Sequence, residues 1–316
     1  MNPVLESTRE IALGGRSVKI NQTAVLEWAE RFGKKHRTKP KWEAKKHFFD
    51  KKNPERSLSY LVMLDTLNFC FWSPRGGRWE FSYRGKSYSG YYALALALKV
   101  FFLKHKKANL QTFAEMKFAD FERIFQGGRR LMLMPQRYRA ARGVAQEIIK
   151  LGGILSLIDS AKGKFSNLVP QIARLPSFAD EASYHAEKIY FWKRAQILAG
   201  DIAGAFAYRG PGKFLDPEYL TAFADYRVPQ VLESLKILVY APKLRRLLQK
   251  RTPIRAGSPM ELEIRATTIW AVEYMRRELQ KQGVIFQSYQ IDWLLWQASQ
   301  KINLNLPHHR TKTVFY

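Results

Sequence analysis

Apolar residues return at the three- and four-residue spacing of a helix face through most of this chain, which confines it to a mainly α fold. The pattern predicts helices over Thr23–Phe32, Tyr91–Lys106, Thr112–Phe125, Met134–Leu151, Gly153–Ala161 and Leu168–Leu175. It continues over Ala179–Phe206, Val231–Val239, Lys243–Gln249, Pro259–Gln282 and Tyr289–Lys301, with breaks expected at Pro170 and Pro176. Ser57–Phe71 is apolar enough to be buried, and Ser258-Pro259-Met260-Glu261 reads as an N-cap with proline in the first turn. Strand-like alternation is confined to RWEFSYRGKSYSG, which follows the turn signal Ser73–Gly77 and predicts one small β-hairpin near 79–90 around Arg84-Gly85. No repeat or low-complexity linker marks a domain boundary.

Composition excludes several classes. With 46% hydrophobic and 14% aromatic residues the chain is not disordered. Its one cysteine, Cys70, allows neither an intrachain disulfide nor a cysteine-rich zinc site, which fits a reducing compartment. The first ten residues carry Glu6, Arg9 and Glu10, so no secretory h-region is expected, and Lys99 cuts the most apolar run far short of the about 20 residues of a spanning helix. The expectation is a cytoplasmic protein with no membrane partner.

Lysine and arginine number 53 against 27 acids, a net charge of +26. The cations cluster in Arg31–Lys52, Lys104–Lys107, Arg129–Arg130 with Arg137–Arg142, and Lys243–Arg251. The Gly33–Lys52 part reads as a loop with one helical turn, and the basic region over about 31–56 is expected to pack against the rest or form that loop. Such a surface gathers polyanions, either nucleic acid or a small phosphorylated molecule, or it is simply a solvated face. Charge does not separate these unless it is gathered on one side.

Reactive constellations are few. Cys70 lies in NFCFW and reads as a buried thiol; the six histidines form no HExxH spacing; GPGK lacks the spacing and hydroxyl of a phosphate loop. Two segments stand out. In Tyr190–Asp201, Lys193 follows three aromatic residues and shares a helical stripe with Ile197 and Gly200. Its stem either packs on the rings with the ammonium in water, or the ammonium is partly desolvated. In Phe223–Pro229, Asp225 stands between apolar residues, either ion-paired with Arg227 or held for electrostatic catalysis. Asp65 and Asp292 lie in similarly apolar sequence, so the three together suggest an anionic pocket inside a cationic shell.

Six blocks in order, DTLNFCFWS, YRGKSYSGY, FWKRAQIL, FADYRVPQVL, ELEIRATTIW and HHRTKTVFY, resemble the queuosine salvage protein family, the queuosine 5′-phosphate N-glycohydrolases. The resemblance runs from about residue 40 to the end. It implies a single domain over 1–316, an all-α fold related to helix-hairpin-helix DNA glycosylases, and hydrolysis of queuosine 5′-phosphate to queuine and ribose 5-phosphate. No cofactor and no metal are implied. The catalytic aspartate falls on Asp225 and the base-pocket phenylalanine on Phe223. The binding histidine falls on His47, ahead of Asn53-Pro54, and a C-terminal cluster falls on Asp292, Trp293 and Gln297, a position where some members carry an acid. Lys193 is the candidate for the phosphate.

The chemistry suits these types. N-glycoside cleavage develops positive charge on the ribosyl ring, which a carboxylate beneath C1′ stabilises. Queuine, a 7-deazapurine, has no N7 to protonate, so more of the task falls on that carboxylate. A nucleic-acid-binding protein or base-excision glycosylase is the rival reading, but the Gly-x-Gly turn it would carry is missing from Leu151-Gly152-Gly153. A non-catalytic scaffold would leave the buried aspartates unexplained.

Overall fold

The computed structural model describes residues 2–35, 38–74, 76–300, 304 and 306–316. His36 and Arg37 of the basic run, Arg75 of the expected turn and Lys301 of the last expected helix lie outside the described residues.

In chain order the elements are α1 (Pro3–Gly14), β1 (Val18–Ile20), α2 (Gln22–Lys35), a 3-10 turn (Ala44–Lys46) and α3 (Pro54–Thr66). A hairpin, β2 (Glu80–Tyr83) and β3 (Lys86–Ser89), leads into α4 (Gly90–Lys104), α5 (Leu110–Glu115), α6 (Phe118–Ile124), α7 (Met134–Lys150), α8 (Ile154–Ser160) and α9 (Phe165–Ala173). A second hairpin, β4 (Glu181–Tyr184) and β5 (Glu187–Tyr190), precedes α10 (Lys193–Ala205). Then come α11 (Val228–Ser234), β6 (Leu238–Tyr240), α12 (Pro242–Gln249), α13 (Pro259–Lys281) and α14 (Ser288–Ser299). The chain is mainly α, as its periodicity predicts, and the hairpin near 79–90 is present, with Phe81 opposite Tyr88. Among the described residues no helix is long and apolar enough to cross a membrane.

Two helices explain the layout. Every residue of α3 from Ser57 to Thr66 is buried, and so is every residue of α13 from Glu261 to Glu273. A helix covered on all sides needs neighbours on all sides. α3 is packed by α4, α7, α8 and α10, while α1, α2, α11 and α14 lie against α13. Two apolar clusters result, one centred on α3, the other on α13.

The end of α3 illustrates how polar demand is met inside. Its last carbonyls have no helical partner. Buried Arg194 donates to the carbonyls of Asp65 and Thr66, and buried Arg137 to those of Leu67, Phe69 and Cys70. These contacts fix the segment after α3, where Cys70 takes a left-handed φ of 44° and donates its N–H to the Tyr316 carbonyl at 2.9 Å.

Several expected boundaries shift. Ala179–Phe206 is not one helix: 181–190 forms β4 and β5, joined at His185-Ala186, both with positive φ, and the helix begins at Lys193. Thr112–Phe125 divides at Met116-Lys117, whose carbonyl at Met116 accepts from Tyr138 Oη at 2.9 Å. α11 begins three residues before the expected Val231 and ends at Ser234, and 238–240 is a strand paired with β1. Pro170 sits inside α9 rather than ending it; the carbonyl it leaves without a helical donor is that of Ser166, a half-buried residue at the start of the helix. Ser258 precedes α13 without a side-chain capping bond, and Glu261 Oε2 accepts the Gly257 N–H at 3.0 Å instead. The helix α1 has no counterpart among the predicted elements.

Candidate active site

One cavity collects the aspartates, aromatic rings and cations that stand out in the sequence. His47, Lys193, Phe223, Asp225, Asp292, Trp293 and Gln297 all line it, from the 3-10 segment, α10, the loop before α11, and α14. Asp65 lies behind the wall, fully buried.

The loop carrying Asp225 is held almost residue by residue. Gln196 of α10 accepts the Thr221 N–H at 2.8 Å. Asp292 Oδ1 accepts the Phe223 N–H at 2.9 Å. Arg265 Nε donates to the Ala224 carbonyl at 3.2 Å. Asp225 then turns the chain into α11: its Oδ1 accepts the N–H groups of Arg227 and Val228, each at 2.8 Å. The ion pair with Arg227 that the sequence left open is not formed. Arg227 donates to Gln230 at 2.9 Å and to the Ser299 carbonyl, and among the described residues no cation stands within salt-bridge distance of Asp225. One carboxylate oxygen therefore does the capping while the other is left to the cavity.

Lys193 is placed with equal care. It opens α10 directly after Trp192, whose φ of 48° is left-handed. Asp180 accepts the N–H groups of Phe191 and Trp192 on its carbonyl and that of Lys193 on Oδ2. The same carboxylate receives both Arg265 Nη groups, at 2.9 and 2.5 Å. Arg265 thus joins the start of α10 to the Asp225 loop, and its guanidinium lies against the rings of Phe191 and Tyr316, the latter itself a cavity residue.

Burial sets the charge states. It pushes Asp225 up, against the pull of Lys193 and the two backbone N–H bonds. It holds Asp292 well above the carboxylate range, and the neighbouring Asp225 charge adds to this. Lys193 is pushed down by burial while Asp225 opposes the shift. Two carboxyl groups in one cavity thus part company: Asp225, with two backbone donors and the Lys193 charge as the main opposition to burial, is the one suited to carry charge, and Asp292, with one backbone donor, the one suited to keep its proton. His47 is lowered to about 4 by burial, so its ring is neutral at pH 7.

The cavity has two dissimilar ends. One is basic, with Arg78, Arg227 and His308 beside Tyr226; Arg78 and Arg227 both act to depress His308, after burial, to about 4. The other is aromatic and acidic, with Trp42, Tyr91, Tyr92 and Trp296 around Glu43 and Asp201. Trp42 reaches the backbone of α10 because residue 204 is glycine; a Cβ there would meet Trp42 Cβ at 2.9 Å and its indole ring at 3.1 Å. Apart from Arg227, the sequence singles out none of these residues. The one available signal was Asp201 itself, eight residues after Lys193 and therefore on its face of the helix. Among the described residues no cluster of three His, Cys, Asp or Glu side chains is set to hold a metal.

Comparison with known proteins identifies the family. The sequence profile described as queuosine salvage protein matches residues 47–316. A Sphaerobacter thermophilus protein named queuosine 5′-phosphate N-glycosylase/hydrolase is 41% identical over 99% of this chain and 97% of its own length. The protein of that name from Dictyostelium discoideum is 37% identical over all of both chains, and the one from Mus musculus 29% identical over 98% of each. With the profile spanning most of the chain and full-length relatives of this identity, the chain belongs to the queuosine salvage protein family.

Proposed function

We propose that this chain hydrolyses the N-glycosidic bond of queuosine 5′-phosphate, releasing queuine and ribose 5-phosphate, and that residues 1–316 act as one catalytic domain. The observation that carries the reading is the buried Asp225, anchored through one oxygen by two backbone N–H groups and facing the cavity with the other.

In this reading the C1′–N9 bond breaks with its electron pair going to the base. Asp225 stabilises the ribosyl cation and takes a proton from the water whose oxygen bonds to C1′. The departing nitrogen gains a proton, so one water is consumed overall. Phe223 and Trp293 supply apolar faces for the base. Asp292, holding its proton, both donates and accepts toward the base or its diol, with Gln297 and neutral His47 as further polar contacts. Nucleic acid is not a required partner. The test is direct: purified protein incubated with queuosine 5′-phosphate should release free queuine with saturable kinetics, and absence of release under any buffer condition would refute the assignment.

The 5′-phosphate has two candidate cations. Lys193 is the one expected from sequence. A specific observation favours a second reading: Lys193 feels Asp225, Asp292 and Asp65 at once, whereas Arg227 at the basic end, which also feels Asp225, has Arg78 as a second cation in the same part of the cavity. The substitutions Lys193→Ala and Arg78→Ala separate them. The true phosphate ligand, when removed, should lower kcat/KM on the 5′-phosphate at least tenfold more than on the bare nucleoside, as expected for a charge-assisted contact. A variant that loses both activities equally does not bind the phosphate.

A further inference from the structure

The aromatic end of the cavity holds a buried carboxylate that the reaction above does not use. Asp201 is 4% exposed and lines the cavity. Tyr91 Oη stands 3.3 Å from Asp201 Oδ2 and 2.8 Å from His47 Nε2. The His47 ring is fixed by its other nitrogen, which lies 2.6 Å from the Glu43 carbonyl. A carbonyl only accepts, so Nδ1 carries the proton and Nε2 is bare. Tyr91 has one proton, and the imidazole is the nearer acceptor. At 3.3 Å the Tyr91 hydroxyl reaches Asp201 Oδ2 only as a second, longer acceptor, so the carboxylate has no strong partner at this end of the cavity.

Around it are groups that suit a cation. Tyr91 and Tyr92 each set their rings edgewise to Trp296, at centroid distances of 5.5 and 5.3 Å, and Trp42 stacks on His47 at 4.4 Å. Lys46 already places its ammonium 3.4 Å over the Tyr92 ring. Aromatic faces with a carboxylate among them form a recognisable ammonium subsite. Along α10, eight residues at 1.5 Å separate Lys193 from Asp201, about 12 Å, comparable to the reach from a ribose across a substituted base.

We propose that Asp201, with Trp42, Tyr91, Tyr92 and Trp296, forms the subsite for an alkylammonium group on the base and gives the cavity its preference for a cationic arm. This rests on the reading of the cavity as a nucleotide glycohydrolase site. Below about pH 7 binding of the ammonium displaces a proton from Asp201; above it the carboxylate is already free to pair.

The pH dependence follows from the groups that face Asp201. Burial raises Asp201 to about 7, with the Tyr91 hydroxyl and the nearby Trp42 indole opposing. Asp65 and Tyr60 of α3 face it from behind; Asp65, whose oxygens make no hydrogen bond, is held well above the usual range by burial and by Asp201, and Tyr60 is raised by burial. Tyr91 of α4 is likewise raised. On the 3-10 segment His47 is neutral above about 4, and Glu43 is lowered despite its partial burial by Tyr92 and Lys46. Lys99 adds positive charge near His47, and Lys193 lies further along α10. Between pH 6 and 8 the group at this end that changes charge is Asp201. Its carboxylate form is present above about 7 and lost below it, so ammonium binding weakens as pH falls.

The experiment is calorimetric titration of the full chain with two bases, 7-aminomethyl-7-deazaguanine and 7-deazaguanine, from pH 6 to 8. The wild type should bind the aminomethyl base at least tenfold tighter at pH 8, and that preference should shrink toward tenfold less per pH unit below 7. Asp201→Asn should abolish both the preference and its pH dependence. A preference that is flat with pH in the wild type, or that survives in Asp201→Asn, overturns the assignment. Because the readout is binding, it is independent of turnover: queuine release with no preference sinks this subsite alone, and a preference with no release sinks the glycohydrolase reading alone.

Discussion

Asp225→Asn is expected to lower queuine release from queuosine 5′-phosphate by a factor of at least about 10²–10³ while queuine still binds. The substitution is nearly isosteric. Its amide oxygen can still accept the Arg227 and Val228 N–H groups that Asp225 Oδ1 accepts at 2.8 Å, so the entry to α11 is preserved. What disappears is the negative charge facing the cavity, and with it both the stabilisation of the ribosyl cation and the acceptor for the water proton. Removing a single preorganised electrostatic contact of this type is worth roughly 3–4 kcal/mol in the transition state. Lys193 also loses its principal counter-charge, so it should titrate lower in the variant than in the wild type. Steady-state release of queuine, paired with calorimetric binding of queuine to the same preparation, measures both halves. Release within tenfold of wild type would remove Asp225 from its role.

Asp225 could be found in the sequence for a physical reason. A carboxylate between Phe223-Ala224 and Tyr226, one turn before Pro229, has no cheap way to be buried, so its presence there demands explanation. The same argument marks Asp65 and Asp292. It fails for Asp201, which follows Ala199-Gly200 and precedes Ile202-Ala203 in a stretch that reads as an ordinary helix. Its partners, His47, Tyr91 and Trp296, come from three distant segments, and no spacing along the chain announces that they meet. The fold divides in the same way. The hairpin at 80–89 is legible because strands alternate on either side of Arg84-Gly85, where both residues take positive φ. The hairpin at 181–190 makes its turn with His185-Ala186, neither of which advertises a left-handed conformation, and its short strands carry the same apolar residues a helix would. The pairing of 18–20 with 238–240 joins segments more than two hundred residues apart, beyond any local signal.

Arg265→Met should destabilise the fold by about 3–5 kcal/mol, the largest stability effect expected of a single substitution near the site. Arg265 is nearly fully buried and meets Asp180 through both terminal nitrogens, with Glu261 3.6 Å away. Burial depresses the guanidinium's basicity, but the charges of Asp180 and Glu261 outweigh it and the net shift is upward, the signature of a cation held by two acids. Removing the cation leaves those two carboxylates facing each other with no counter-charge. It also releases the Ala224 carbonyl, hence the peptide that precedes Asp225. Stability and activity should therefore fall together, but through separable contacts. Methionine fills much of the volume, so the loss measured by urea unfolding reports the missing charge rather than a cavity. The double variant Asp180→Leu with Arg265→Met should recover part of the stability, because it no longer buries an unpaired acid at position 180. It should not recover activity, because the Lys193 N–H and the Ala224 carbonyl would both remain untied. If the single variant loses less than about 1 kcal/mol, the pair is not what holds α10 and the Asp225 loop in register.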